Sequence, residues 1–191
     1  MDYTVTGGNN VLKEGDKKKT VLRTIRLPSD VDEVVRTDAQ SKGISENVLL
    51  NMMLRKYIES DRFNEKVGVV TVSRATFRNL LERADDDCLV AAGKVSGQER
   101  PGEMMRFPNG QMDVNTFSSL LELLSKYNCW FNLEHTVAGE EHVFVLHHDL
   151  GSKWSTFLNH YVSEAAKVIL GAMPTGEEHK NYVAIKITGR T

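Results

Sequence analysis

The chain is short of net charge, cysteine, proline and long apolar runs, and each shortage removes a class of function. Its 191 residues carry 24 Lys and Arg against 26 Asp and Glu, a formal net charge of −2. A protein whose whole surface tracks phosphate is strongly basic, so any nucleic-acid contact must come from positive charge gathered locally. The two cysteines, Cys88 and Cys129, are far apart and match no metal or redox spacing. One disulfide is open to them, and a reduced cytosolic chain is the simpler reading. Only four prolines stand among 40% hydrophobic and 26% charged residues, an ordinary globular composition. No apolar run approaches the roughly 20 residues that a membrane-spanning helix needs. The first ten residues have no basic start followed by an apolar stretch, so no signal peptide and a cytoplasmic location are expected.

Enzyme signatures are missing too. There is no phosphate loop, no Gly-x-Ser-x-Gly, no His-Glu-x-x-His and no dinucleotide fingerprint. The acid pairs Glu140-Glu141 and Glu177-Glu178 fall near turns, poor places for acid–base work. The expectation is a protein that is not an enzyme, with no cofactor and no metal.

What is present begins with a flexible arm, residues 1–19, holding Gly7, Gly8, Asn9 and Asn10 and ending in Lys17, Lys18 and Lys19. Residues 20–27, Thr-Val-Leu-Arg-Thr-Ile-Arg-Leu, read as a short β-branched strand stopped by Pro28. Ser29 is the expected N-cap of a first helix, with Asp32 at the capping-box position, and Val31, Val34 and Val35 follow at helical spacing. Gly43 is placed to close that helix. Ser45 then caps a second helix running to about Phe63, with Ile44 stapled to Leu49. Its apolar positions, Val48, Leu49, Leu50, Met52, Met53, Leu54, Tyr57 and Ile58, cover more than one side, and a segment of this size cannot bury them alone.

This order of strand, helix, glycine and Ser-capped helix resembles the ribbon-helix-helix family of DNA-binding proteins. The matching residues are Thr24-Ile-Arg-Leu-Pro28 and Gly43-Ile-Ser45, and the resemblance covers residues 20–63. It implies a homodimer, or a tetramer, in which strands from two copies pair across a two-fold axis and enter the major groove of double-stranded DNA. With Ile25 and Leu27 toward the core, strand alternation turns Thr24 and Arg26 toward base edges. Arg23 falls out of phase and is assigned to phosphate, and Lys19, the last of the basic run, is a further DNA-binding candidate. Ser45 and Asn47, at the start of the second helix, suit the DNA backbone, although Glu46 between them is unfavourable there. The reading is a prokaryotic transcriptional regulator; the alternative is a dimeric interaction or architectural protein whose first module reads no sequence.

Residues 66–191 are too long for dimerisation alone and suggest sensing or assembly, with room for an unknown small-molecule effector. A strand is expected at Val67–Val72, a Ser73-capped helix with Phe77, Leu80 and Leu81, and a short helix plus a long irregular loop over 85–111. Asp113 caps a further helix with Phe117, Leu120, Leu121 and Leu124. Strands at 129–136 and 142–148 flank a hairpin turn at Ala138-Gly139-Glu140, a helix spans Ser152 to Leu170, and a last strand runs from Tyr182 to Thr188. The class is α+β, with helices on a mainly antiparallel sheet. His135 is expected opposite His142, with His142 and His148 on one strand face and His147 on the other. Nickel-responsive ribbon-helix-helix repressors join such a module to a metal domain, but their His-x-His and downstream Cys become His147-His148 and no following cysteine here. Ordinary hydrogen-bonding roles are therefore preferred. Trp130, Phe131, Trp154, Phe157 and Tyr161 are read as core, with an apolar pocket as the other option.

Overall fold

The computed structural model describes residues 20–104 and 113–188, so Lys19 and the rest of the expected arm lie outside the described residues. The chain divides into two compact units, one ending at Leu50 and the other starting at Asn51.

In the first unit, residues 20–28 precede the helices and join no ladder within the single chain. Helix α1 (Ser29–Ser41) begins on Ser29 itself, so the cap falls one residue earlier than expected. Pro28, at φ −57°, holds the cap position, its carbonyl accepts from Asp32 N–H at 3.0 Å, and no side chain caps the start. Proline's fixed φ and missing donor suit that place, which is why Ser29 falls inside the helix. Gly43 ends α1 as expected. At φ +65° it lets its own N–H return to Gln40 O at 3.1 Å and the Ile44 N–H to Ala39 O at 3.1 Å. This paired return is a Schellman closure, and only a residue without a Cβ takes that φ cheaply. Ile44 then packs with Val35, Ala39 and Leu49, and Ser45 Oγ accepts from Val48 N–H at 3.3 Å to cap α2 (Glu46–Lys56). Both the cap and the staple match the sequence reading.

The second helix runs further than expected. After α2 comes a π-helical turn at Tyr57–Asp61, then α3 (Arg62–Val67), closed by Gly68 at φ +67°. The π turn is anchored: the Tyr127 hydroxyl donates to Glu59 Oε2 at 2.5 Å and the Lys126 ammonium reaches the same oxygen at 3.2 Å. The strand expected at Val67–Val72 is not formed. Val67 belongs to α3, Val69 N–H returns to Asn64 O at 3.2 Å, and residues 69–73 enter no ladder.

The rest of the second unit is α+β. Ser73 caps α4 (Arg74–Arg83), accepting from Thr76 N–H, and Asp113 caps α6 (Val114–Lys126), accepting from its Thr116 N–H at 2.8 Å. Between them, where a short helix and a loop were expected, lies the long helix α5 (Asp86–Met104); residues 105–112 are outside the described set. Strands β1 (Asn132–Ala138) and β2 (Glu141–His147) form a hairpin around Gly139 and Glu140, with Gly139 at φ +65°. Helix α7 (Ser152–Leu170) and strand β4 (Tyr182–Thr188) sit where the periodicity put them, and β3 (Thr175–His179) is an added edge strand. The sheet order is β1-β2-β4-β3, antiparallel throughout.

One core fills this unit, from Leu81 and Leu89 through Phe117, Leu121, Phe144 and Leu146 to Leu158, Ile185 and Ile187. The aromatic residues belong to it. Trp130 meets Trp154 edge-on at 5.5 Å and Tyr161 at 5.1 Å, Trp154 stacks on Phe157 at 4.7 Å, and Trp154 Nε1–H donates to Trp130 O at 3.1 Å. Helix α5 approaches α7 most closely at two glycines. A Cβ on Gly93 would lie 2.7 Å from Phe157 O, and one on Gly97 2.3 Å from Tyr161 O. The two glycines, one turn apart, bring the helix backbones together.

Candidate nucleic-acid interface

Arg23, Thr24 and Arg26 are exposed ahead of α1, and Ser45 and Asn47 are exposed at the start of α2. The apolar residues among them are equally bare: Val21 is 69% exposed, Leu22 92% and Ile25 61%, while Leu27 is half-buried. On the helices Val31, Val34, Val48, Met52 and Met53 are exposed as well. Among the described residues of this unit, the buried apolar set is Val35, Ala39 and Leu49.

The Gly43 closure sets the start of α2 beside the last turns of α1. Between them is a hollow of about 620 Å³ lined by Arg36, Ala39, Gln40, Ile44, Ser45, Glu46 and Asn47. Two sequence-assigned residues, Ser45 and Asn47, are thus brought together with a cation that sequence reasoning passed over. In the sequence, Arg36 stands with Asp32 and Glu33 on the side of the first helix opposite Val31, Val34 and Val35. Its signal was its position: it lies on the last turns of α1, which the Gly43 turn folds against α2. Glu46 lines the same hollow, so the predicted electrostatic conflict is retained and opposed by Arg36. A helix start offers outward N–H groups and the positive end of the macrodipole, an arrangement that favours an anion.

The histidines of the second unit occupy a different register from the expected one. The turn residues are Gly139 and Glu140, so Ala138 pairs with Glu141, His135 with Phe144 and Val137 with His142. His135 still reaches His142 diagonally, Nε2 to Nδ1 at 3.0 Å, and stacks on Phe144 at 4.1 Å. Burial, and then the neighbouring His142, push the His135 imidazole below its usual range. Among the described residues no three His, Cys, Asp or Glu side chains converge as metal ligands would.

His148 and Ser155 are 2.9 Å apart, which invites a nucleophilic reading that the hydrogen bonds do not support. His148 Nδ1 accepts from Leu150 N–H at 3.3 Å, so a neutral ring carries its proton on Nε2 and donates it to Ser155 Oγ. The Ser155 hydroxyl in turn donates a hydrogen bond to His179 O at 2.5 Å. The imidazole is a donor to the hydroxyl, not a base toward it, and burial pushes it down to about 4. A second hollow, about 440 Å³, lies at the start of α7 and includes Arg78, Lys153 and Lys180. Its cations are partly committed to the chain itself: Lys153 donates to Glu82 O and Ala84 O, and Arg78 to Asp149 O.

Among the described residues no helix is long and apolar enough to cross a membrane. No family model, curated protein or solved structure matches the chain.

Proposed function

We propose that the protein is a homodimeric, sequence-reading DNA-binding regulator whose first unit acts as a ribbon-helix-helix module. The observation that carries the reading is the mismatch in that unit between apolar surface and core. Among its described residues Val35, Ala39 and Leu49 form the buried apolar cluster, while Val21, Leu22, Ile25, Val31, Val34 and Val48 stay exposed. A second copy, pairing residues 20–28 strand to strand and helices face to face, supplies the missing cover.

The polar residues then fall into two groups. Arg26 and Thr24, alternating with Ile25 and Leu27, lie on the ribbon face that enters the major groove. Arg36, Ser45, Asn47 and the start of α2 hold the phosphate backbone, and Arg23 adds to that contact. Base readout and phosphate positioning are separable in their effects. The 125 or so residues of the second region assemble the protein or bind an effector.

The test is fluorescence anisotropy of labelled DNA fragments against salt concentration. Counterion release makes log affinity fall linearly with log salt. Arg26→Ala is expected to lose about 1–3 kcal/mol of discrimination between fragments, while Arg36→Ala weakens all fragments alike and flattens the salt slope. Weak, salt-insensitive binding by the wild-type chain would replace this reading with that of a dimeric interaction protein.

A further inference from the structure

The sheet of the second unit has two edges, and they differ in chemistry. The β3 edge, Thr175-Gly-Glu-Glu-His179, is short and carries adjacent carboxylates. Pairing it with its own copy about Glu177 or Glu178 would set like charges opposite each other, a common guard against edge-to-edge association. The β1 edge is seven residues long, with no proline and no lysine. Its one carboxylate, Glu134, points to the other sheet face and is already held by His147 at 3.3 Å.

The hairpin dictates which β1 groups face outward. Residues flanking a two-residue turn exchange both of their backbone hydrogen bonds. Ala138, Thr136, Glu134 and Asn132 therefore bond to β2, and Leu133, His135 and Val137 send N–H and C=O to the open side. Leu133 follows this rule: its N–H goes to Ser125 Oγ at 3.2 Å rather than to β2. Among the described residues nothing accepts from the N–H of His135 or Val137, and the Val137 side chain is 55% exposed.

We infer that the β1 edge is an interface between two copies of this chain, paired antiparallel about a two-fold axis at His135. The two four-stranded sheets then join into one of eight strands. Several registers are available, and the side chains choose among them. Centring on Glu134 sets two carboxylates directly opposite, and centring on Thr136 leaves the first residues of β1 unpaired. Centring on His135 pairs the whole strand. Leu133 meets the exposed Val137 of the other copy on the helix-covered face, and Glu134 meets Thr136 on the open face. The outward N–H groups of His135 and Val137 find the carbonyls of His135 and Leu133 across the axis. This interface lies entirely in the second unit and does not depend on DNA binding or on the pairing of the first.

The experiment is amide hydrogen exchange of the full chain at several protein concentrations, wild type against Val137→Lys. Unit integrity is followed by fluorescence of the two tryptophans, Trp130 and Trp154, and assembly mass by sedimentation. The expected result is that the His135 and Val137 amides slow by about tenfold or more as concentration rises. That protection, and the associated mass, are lost in Val137→Lys with tryptophan emission unchanged. Fast exchange at every concentration in the wild type would overturn the interface. So would slow exchange in a protein that sediments as a monomer, since the edge would then be covered within one chain. The wild-type concentration series decides the matter even if the lysine variant folds poorly.

Discussion

The two units solve the same problem, hiding apolar surface, in opposite ways. Among the described residues, the second closes a core of twenty-one buried apolar residues from its own helices and sheet, whereas the first buries three. The first unit nevertheless has complete local signals: a glycine closure with both return bonds, a serine cap and a staple. Well-made local structure with an unfinished core is what a segment looks like when its tertiary partner is another molecule. The contrast is testable because both tryptophans lie in the second unit and report on it alone.

The largest expected effect comes from the two glycine classes. Gly97→Ala places a methyl 2.3 Å from the Tyr161 backbone oxygen, and neither backbone can move away without parting α5 from α7. A loss of about 2–4 kcal/mol is expected in urea unfolding followed by tryptophan emission. Gly43→Ala meets nothing within 4 Å and suffers only from φ +65°. Its cost should be about 1 kcal/mol, confined to the first unit and invisible to the tryptophans. Equal effects from the two substitutions would remove the proposed close packing of α5 on α7.

That glycine pair also explains where the sequence was hard to read. Helix α6 was legible because its Asp113 cap and its apolar period agreed, and α7 and β4 were legible from apolar period alone. Helix α5 was not, because part of its buried face is made of Gly93 and Gly97, which add nothing to an apolar period. Strand β3 holds no large apolar residue, so neither alternation nor run length marked it. The valines of 67–72 misled for the opposite reason: β-branched residues satisfy a strand pattern, but Gly68 at φ +67° makes their first member a helix end. Of the candidate interface, the Ser45 cap and the Gly43 turn were visible in the residues. Arg36 was not, since its place beside Asn47 arises only when the turn is folded.

A smaller effect separates the units by pH. An unfolded His148 takes its proton near pH 6.5, and the folded one near 4, because burial disfavours the charged ring. Between those values only the unfolded chain binds the proton, so stability is fully present above about pH 6.5 and falls as pH drops toward 4, levelling below it. The ring is half-buried, so the loss is set at about 2 kcal/mol rather than the full value of the shift. His135, also pushed down, adds in the same direction. Tryptophan-monitored stability should therefore slope over this window in the wild type and slope less in His148→Gln. Parallel curves for the two proteins would show that burial does not hold the His148 ring neutral.

The smallest effect tests whether the second unit, closed as it is, stores strain. Cys129 lies at φ +53° between α6 and β1, the one non-glycine residue with positive φ among the described residues. A side chain in that region costs of order 1 kcal/mol when nothing repays it. The thiol is free and exposed, so it offers no packing in return. Its carbonyl accepts from Arg74 Nη1 at 3.4 Å, a backbone bond that any residue keeps. Cys129→Gly removes the Cβ penalty but gives the unfolded chain more freedom, and the two partly cancel. The net expectation is a gain of about 0.5 kcal/mol, with Cys129→Asn close behind because asparagine tolerates this conformation. A clear loss in both variants would mean that the sulfur has a structural role and that the turn is held for it.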